Sequence, residues 1–258
     1  MTTPEVSDDD RLAAELADGS GRLLLKLRAA GDMEPGELRH EGDRRSHEFL
    51  AAELARRRPG DAVLSEEGAD DQARLTADRV WIVDPLDGTR EFGEPGRTDW
   101  AVHVALWERG ELTAGAVALP AQDTIFWTGG LLPGRDAPRV PAQPGALRFL
   151  VSRTRPPEIA EQLAARTGAE LVPLGSAGAK AAEVIRGSAD AYVHSGGQYE
   201  WDSAAPVAVA RAAGLHASRI DGSMLAYNQA PPSVPDILIC QADIADMLLG
   251  AISSIRGQ

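Results

Sequence analysis

The feature that most constrains the fold of this chain is a hydrophobic segment, residues 79–83 (RVWIV), that runs directly into the sequence DPLDGTRE. Its apolar and β-branched residues predict a buried strand. Asp84 and Asp87 follow three residues apart, and Pro85 between them fixes one φ angle and removes a backbone donor. A strand of the core is therefore expected to end in two carboxylates held on a stiff turn.

This turn has two interpretations. In the first, Gly88 allows a close backbone approach, and the amide groups after it open a helix that suits an anion. Carboxylates repel phosphate, but divalent cations that bridge them present positive charge to it, and hard oxygen ligands at this density suit Mg²⁺. In the second, Asp84 and Asp87 belong to an Asx-type turn that closes a hairpin. For the short motif alone, the second interpretation is favoured.

The metal interpretation requires more carboxylates at the same place. Glu66 and Glu67 follow a short predicted strand, AVLS, and Asp202 opens the Ala-rich segment EWDSAAP. Each of them also has a structural alternative. Taken one at a time, Glu66 and Glu67 are better interpreted as acids in the first turn of a helix, and Asp202 as a helix N-cap.

Helix and strand patterns divide the chain into two parts. Helices are predicted over residues 8–30 and over about residues 43–58, and the segment TDWAVHVALWERGELTAGAVALPAQDTIFWTGG has the alternation of a β-meander. Beyond the Gly- and Pro-rich segment GGLLPGRDAPRVPAQPGA, strands and helices alternate, which predicts an α/β unit. We therefore expect an N-terminal α+β lobe over residues 1–145 with most metal ligands, and a C-terminal α/β lobe over residues 146–258 that contributes the remaining ligand and substrate contacts.

Composition limits the classes of partner. The 258 residues carry a formal charge of −13, which argues against nucleic-acid binding through a broad basic surface but is compatible with a small phosphorylated substrate. The single cysteine, Cys240, lies in the apolar segment DILIC, which predicts an inert core thiol and excludes an internal disulfide. The sequence shows no secretory signal pattern and no apolar run long enough for a bilayer. We therefore expect a cytoplasmic protein with no nucleic-acid or membrane partner.

Three segments taken together, LSEEG, WIVDPLDGTREF and EWDSAAPVAVARAAG, resemble the inositol monophosphatase-like superfamily of Mg²⁺-dependent, lithium-sensitive phosphatases, in the order found in that family. The pair DPLDGT and WDSAA is far more specific than a single short motif. The resemblance extends over nearly the whole chain. It implies an α/β (α+β) fold built as a layered α-β-α-β-α sandwich, and a homodimer.

The resemblance also implies a centre of two Mg²⁺ ions per subunit, with a third, weaker ion near Glu66. Thr89, hydrogen-bonded to Asp43, is the implied group that orients and helps to deprotonate the attacking water, and Glu66 completes the catalytic set. One ion makes hydroxide available near neutral pH and the other stabilises the departing oxygen. The implied metal ligands are Glu66, Asp84, the carbonyl oxygen of Leu86, Asp87 and Asp202. The implied substrate contacts are Glu66, Leu86, Asp87, Gly88, Thr89, Gly178, Lys180 and Asp202.

Within the superfamily, the variants SEE, DPLDGTREF and WDSAAP, with Gly178 and Lys180 as a G-x-K before a helix, resemble the CysQ-type 3′(2′),5′-bisphosphate nucleotidases. This resemblance implies removal of the 3′-phosphate of 3′-phosphoadenosine 5′-phosphate, giving AMP, and action on its parent 3′-phosphoadenylyl sulfate, linked to sulfate assimilation. Two alternatives stay open. One is an inositol-1-phosphate or fructose-1,6-bisphosphate phosphatase on the same scaffold, and the other is a catalytically silent protein that senses the nucleotide.

Several further residues have two interpretations. Lys180 either contacts the nucleotide or is a solvated helix lysine. His103, inside an alternating strand, is predicted to be a satisfied core histidine rather than a ligand. Arg155 follows a predicted strand and is interpreted as an ordinary basic loop residue in preference to a ligand contact. Tyr199 and His194 are candidates for an adenine pocket.

Overall fold

A computed structural model describes residues 6–131 and 145–257 of the chain. Within these residues, the strands form two separate sheets, and helices pack on their faces. The helices are α1 (Asp8–Ala30), α2 (Pro35–Arg57), α3 (Thr89–Gly93), α4 (Glu158–Thr167), α5 (Ala177–Arg186), α6 (Glu200–Ala212) and α7 (Ala245–Arg256). The strands are β1 (Ala62–Ser65), β2 (Arg79–Asp87), β3 (Ala101–Glu108), β4 (Glu111–Leu119), β5 (Thr124–Trp127), β6 (Gly130–Leu131), β7 (Arg148–Ser152), β8 (Glu170–Leu174), β9 (Ala191–Tyr199), β10 (His216–Ser218) and β11 (Ser233–Cys240).

Local sequence signals fix both ends of α1. The Ser7 hydroxyl accepts a hydrogen bond from Asp10 N at 3.0 Å, and the Asp10 carboxylate accepts one from Ser7 N at 2.9 Å. This reciprocal pair satisfies amide groups that the first turn of a helix leaves without partners. At the other end Gly31 adopts a left-handed conformation, with φ of +67°. The helix predicted over residues 8–30 is confirmed.

The second helix begins earlier than predicted. Helix α2 starts at Pro35, about two turns before Asp43, so the predicted start at Asp43 is wrong and this aspartate lies inside the helix. Proline is tolerated in a first helical turn because its missing N–H would have no intrahelical partner there. The consequence for the site is that Asp43 is held by regular helical backbone on both sides.

The first sheet is a meander with one parallel strand at its edge. Its order is β1-β2-β3-β4-β5-β6, with β1 parallel to β2 and every later neighbour antiparallel, as the alternation in the sequence predicted. Alternate residues of its strands pack against α1 and α2 on one face and against α5 and α6 on the other. At Gly115 of β4 the approach of α6 is close, because a Cβ there would lie 2.7 Å from the Ala208 side chain.

The second sheet has the order β10-β11-β9-β7-β8. Strand β7 is parallel to both β8 and β9, while β11 pairs antiparallel with β9 and β10. One face packs against α4 and α7, where Cys240 is fully buried, as predicted, and burial raises the pKa of its thiol to about 12. The other face packs against α5 and α6. The layers therefore run α-β-α-β-α, which confirms the predicted sandwich.

The predicted division into lobes at residues 145/146 stays a prediction, because most of the Gly- and Pro-rich segment that suggested it, residues 132–144, lies outside the described residues. The middle layer is nevertheless shared. Helices α5 and α6 belong to the C-terminal half of the chain and pack on the sheet of the N-terminal half. No helix in the described ranges combines the length and the hydropathy that crossing a bilayer needs.

Candidate metal centre and substrate cavity

The carboxylate turn is formed by the buried end of β2. Pairing with β3 is regular up to Asp84 and is interrupted between Asp84 and Asp87. Leu86 N donates to Asp84 Oδ1 at 3.0 Å, so the Asx-type hydrogen bond of the second interpretation is present. Gly88, with φ of +85°, then turns the chain into α3, and a Cβ there would lie only 3.2 Å from Asp99 O. The turn is thus stiff, as predicted, and its conformation favours glycine at position 88.

The fold brings the predicted aspartates together. Asp84, Asp87 and Asp202 each offer a carboxylate oxygen, and these oxygens lie within 4.8 Å of one another. Asp84 and Asp87 are buried and Asp202 is partly buried. Asp202 is the third residue of α6 and Tyr199 is the N-cap, so the alternative interpretation of Asp202 as the N-cap is wrong. Its carboxylate instead accepts a hydrogen bond from Tyr199 N at 2.6 Å and also joins the cluster. For Asp84 and Asp202, a hydrogen bond to the local backbone is therefore compatible with membership of the cluster.

The cluster is electrostatically unfavourable without a counter-charge. Burial, with the neighbouring charges of Glu66 and Asp87, raises the pKa of Asp84 well above its ordinary value. Burial and the charge of Asp87 raise the pKa of Asp202 to about 6. For Asp87, burial acts in the same direction and is the largest single effect, but the opposing effects of His103, Lys180 and Ser176 together outweigh it, so the pKa of Asp87 is lowered. Carboxylate oxygens at this spacing form a donor set that fits a hard divalent cation.

Glu66 faces the cluster from the turn after β1. Dehydration of its carboxylate and the charges of Asp202 and Asp43 raise its pKa to about 7, although part of the side chain is exposed to solvent. The alternative interpretation of Glu66 and Glu67 as acids in the first turn of a helix is wrong, because both lie in a turn and the next helical residue is Gln72.

Thr89 and Asp43 meet beside the turn. The Thr89 hydroxyl lies 3.2 Å from Asp43 Oδ1 and 3.0 Å from the carbonyl oxygen of Leu86. Burial and the charge of Glu67 raise the pKa of Asp43 to about 7. The hydrogen bond between Thr89 and Asp43, which the family resemblance implied, is thus present across the contact of α2 with α3.

Lys180 is not a solvated lysine. Its side chain is buried, its ammonium group donates to the carbonyl oxygens of Gly175 and Ser176, and its Nζ lies 5.0 Å from the centre of the Tyr192 ring. Burial lowers the pKa of Lys180 to about 8. Lys180 also lines the cavity described below. Gly178 lies deeper, where its amide donates to Asp87 Oδ2 at 2.9 Å, so its predicted substrate contact stays a prediction.

Sequence reasoning missed two groups around Asp87. Ser176 caps α5 through its hydroxyl, which accepts from Ala179 N at 3.0 Å, and the same hydroxyl donates to Asp87 Oδ2. A serine before a helical pattern indicates an N-cap, but nothing in the sequence indicates its second partner, 89 residues away. His103, predicted to be an ordinary core residue, is buried with its Nε2 atom 3.1 Å from Asp87 Oδ2.

A buried polar network holds the first turn of α6, which carries Asp202. The Glu200 carboxylate accepts from the backbone amides of Asn228 and Gln229, each at 2.7 Å. Arg74, fully buried, donates to Asn228 Oδ1 at 2.8 Å and to Gln229 O at 2.9 Å. Because these bonds involve the backbone of a loop and a helix terminus, they restrict the position of α6 along its axis.

The cluster opens into a cavity of about 930 Å³. Asp87 and Asp202 line the cavity, as do Arg90 and Arg155, which are exposed and form no ion pair within 4.0 Å among the described residues. Tyr199 also lines it, with 54% of its surface exposed, and its ring stacks on Trp201 at 4.6 Å between centroids. Arg155 therefore belongs to the cavity wall rather than to an unrelated loop.

The cavity wall is not uniformly cationic. Arg153, which also lines it, is fully engaged with carboxylates, at 2.7 Å from Glu91 and 2.8 Å from Glu94. His194 lines the cavity too, with its Nε2 atom 3.1 Å from the carbonyl oxygen of Gly197. The cavity thus offers both guanidinium groups and aromatic rings to a ligand.

Comparison with known proteins agrees with this geometry. Residues 12–255 match the model of the inositol monophosphatase family. The chain is 53% identical over 240 residues to a 3′-phosphoadenosine 5′-phosphate phosphatase of Mycobacterium bovis, with 91% of this chain and 89% of that protein covered. It is 51% identical over 264 residues to the protein of the same name from Mycobacterium leprae, with 96% and 94% covered.

Among solved structures, CysQ from Bacteroides thetaiotaomicron, a bacterial member of the inositol monophosphatase family, superimposes with a TM-score of 0.76 at 26% identity, covering 92% of this chain and 99% of that one. Matching sequence and matching architecture over nearly the full length leave one conclusion. The chain belongs to the inositol monophosphatase family.

Proposed function

We propose that this protein is a Mg²⁺-dependent phosphatase that removes the 3′-phosphate of 3′-phosphoadenosine 5′-phosphate, giving AMP, and that it also acts on 3′-phosphoadenylyl sulfate. The observation that carries the proposal is the opening of the aspartate cluster into a cavity lined by Arg90 and Arg155. The name of the two mycobacterial relatives supports the choice of substrate.

The donor set indicates which groups would hold Mg²⁺. The carboxylates of Asp84, Asp87 and Asp202 supply the shared cluster, and Glu66 and the carbonyl oxygen of Leu86 complete the proposed ligands. When bound, the cations would supply the charge that lowers the pKa of an attacking water and stabilises the departing ester oxygen. We infer two ions per subunit, with a third, weaker one near Glu66.

Thr89 and Asp43 are proposed to orient the attacking water and to receive its proton. The Thr89 hydroxyl has one proton and two acceptors within reach, Asp43 Oδ1 and Leu86 O. Donation to Asp43 leaves the lone pairs of the hydroxyl free to accept a hydrogen bond from water. A carboxyl group whose pKa is about 7 is well matched to a general base near neutral pH.

The rim of the cavity is proposed to select a substrate with a second phosphate. Guanidinium groups recognise phosphate through paired N–H donors, and those of Arg90 and Arg155 are not occupied by carboxylates of the described chain. The exposed face of Tyr199 offers a surface for a flat base, backed by Trp201. A nucleotide with phosphates at both ends of its ribose uses both features, whereas inositol-1-phosphate uses neither.

The decisive experiment measures phosphate release from 3′-phosphoadenosine 5′-phosphate at saturating Mg²⁺, beside inositol-1-phosphate and fructose-1,6-bisphosphate. We expect a higher kcat/KM for the nucleotide. Faster turnover of inositol-1-phosphate or fructose-1,6-bisphosphate contradicts the proposed substrate but leaves the metal centre in place. No Mg²⁺-dependent turnover of any of the three, with nucleotide binding retained, favours the silent sensor.

Four further properties follow from the sequence and the family resemblance and stay predictions. They are inhibition by lithium, a homodimer, a place in sulfate assimilation and a cytoplasmic location. Lithium inhibition of phosphate release is tested in the same assay, and the dimer by light scattering of the purified protein.

A further inference from the structure

We propose that His103 is a positioning residue of the metal centre, which fixes the orientation of Asp87 and its spacing from the helix that carries Asp202. The inference rests on the proposed function, since it concerns the cations of that site. It goes beyond the family motifs, because His103 lies outside all three of the segments that carry the resemblance.

The backbone puts His103 at the centre of the cluster. In the pairing of β2 with β3, His103 lies directly opposite Asp84. Its side chain, fully buried, extends into the layer between the first sheet and the N-terminal ends of α5 and α6. One ring therefore contacts groups that are separate in sequence but carry the parts of one site.

The two ring nitrogens face oxygens on two different elements. Nδ1 lies 3.1 Å from the carbonyl oxygen of Trp201, and Nε2 lies 3.1 Å from Asp87 Oδ2. A carbonyl oxygen only accepts, so Nδ1 carries the proton of that contact. Trp201 precedes Asp202 in the first turn of α6. The ring thus spans the distance between the β2 turn and the start of α6.

The groups around Asp87 explain how His103 affects the orientation of the Asp87 carboxylate. Its Oδ2 atom accepts from Ser176 Oγ and from Gly178 N, and His103 Nε2 borders the same oxygen. Three groups of the protein therefore surround Oδ2, which leaves Oδ1 as the oxygen that is free to bind a cation. Mutation of groups that orient a ligand in this way commonly lowers metal affinity by about 10- to 100-fold.

Gly178 gives independent support. A Cβ at this position would lie 2.2 Å from His103 Nε2 and 2.8 Å from Val117 Cγ1. The helix can approach the sheet and donate its amide to Asp87 only because residue 178 has no side chain. The glycine of the G-x-K motif therefore makes room for the histidine.

Isothermal titration with Mg²⁺ alone, without nucleotide, tests the proposal in the full-length protein. For His103→Ala we expect one class of cation site to weaken by about 10- to 100-fold. His103→Asn keeps a donor near the Trp201 carbonyl, and His103→Gln places an amide group near Asp87, so each is expected to restore part of the affinity. Raising the Mg²⁺ concentration should then restore much of the kcat that His103→Ala loses, because that loss comes from weaker Mg²⁺ binding. A loss of activity with any other cause should not recover in this way.

Val104→Ala is the matched control, since Val104 is equally buried on the same strand but packs on the opposite face of the sheet. It should lower the melting temperature in EDTA without changing Mg²⁺ affinity. Wild-type affinity in His103→Ala, or an equal loss in Val104→Ala, overturns the proposal. If His103→Ala does not fold, wild-type affinity in both His103→Asn and His103→Gln overturns it as well. Absence of Mg²⁺ binding in the wild type would instead contradict the proposed function itself.

Discussion

The floor and the rim of the cavity are built in opposite ways. The floor is the acidic cluster that Asp87 and Asp202 connect to the cavity, and in it Asp84 and Asp87 are buried and tied by hydrogen bonds to the backbone and to α5. At the rim, Arg90 and Arg155 are exposed and have no ion-pair partner among the described residues. The floor is suited to a reaction that needs fixed distances, and the rim to recognition by side chains that adjust to a ligand. We therefore expect substitutions at the floor to act on kcat and those at the rim to act on KM.

The largest effect is expected from the floor, at Asp84. Replacing its carboxylate by an amide, Asp84→Asn, removes a charge that would hold the proposed cations, so kcat should fall by about 10³-fold, equivalent to about 4 kcal/mol. Phosphate release from the bisphosphate nucleotide is the measurement. Asp243→Asn, at an exposed position of the short 3-10 turn before α7, is the control and should keep wild-type activity. A loss smaller than tenfold in Asp84→Asn would contradict the role of the cluster.

The second effect concerns the proton path at the floor. Thr89→Ala removes the hydroxyl between Asp43 and Leu86, and kcat should fall by about 10²-fold, the lower range for a lost general acid–base group. Thr89→Ser keeps the hydroxyl and should recover most of the rate. Equal losses in both variants would indicate that packing of the threonine methyl group matters and that its hydroxyl does not.

A smaller effect is expected at the rim. Arg155→Gln should raise the KM for the bisphosphate nucleotide by about tenfold, because a charge-assisted hydrogen bond to phosphate contributes about 1.5–3 kcal/mol and exposure reduces this value. KM for inositol-1-phosphate should stay unchanged. Arg166→Gln, exposed on α4 away from the cavity, is the control. If Arg155→Gln weakened both substrates equally, the contrast between floor and rim would be wrong.

The smallest effect concerns the stability of the floor in EDTA. Asp202 has a pKa of about 6, and Glu66 and Asp43 of about 7, all above the ordinary range near 4. Between about pH 4 and pH 7 these three groups therefore bind more protons in the folded state than in the unfolded state, so their contribution to stability falls as pH rises through this window.

We expect the melting temperature in EDTA to fall by several degrees over this range, since 1 kcal/mol corresponds to about 2–4 °C in a chain of this size. Mg²⁺ should remove most of the decline by pairing with the ionised carboxylates. A melting temperature in EDTA that rises from pH 4 to pH 7 would show that other groups dominate the linkage.

Much of the fold was predictable because its signals are local. The patterns that predict the meander, the strand–helix alternation and the carboxylate turn each lie within a segment of 5–30 residues. The motifs around Asp84 and Asp202 indicated the architecture. The predicted start of α2 was wrong because proline usually interrupts a helix, and it is compatible with one at Pro35 only because this residue lies in the first turn. Strand β10 was missed because its three residues carry no alternating pattern.

The parts of the site that sequence reasoning missed depend on contacts between distant residues. Alternation in β3 indicated that the His103 side chain is buried but not which residues surround it, because its partners lie on elements 16 and 98 residues away. Burial of Lys180 likewise follows from the packing of α5 between two sheets and not from its own helical pattern. Such positions become visible only when the layers are assembled.

The close approach of α6 to Gly115 has a consequence for which positions of this fold tolerate substitution. Ala208, which meets Gly115, is six residues beyond Asp202 on the same helix, or about 9 Å along its axis. A methyl group added at Gly115 would press on the helix and move Asp202 with it, although residue 115 is not one of the proposed ligands. Positions two helical turns from the chemistry can therefore be as intolerant of change as the ligands, whereas the rim arginines can diverge and give one scaffold several substrates.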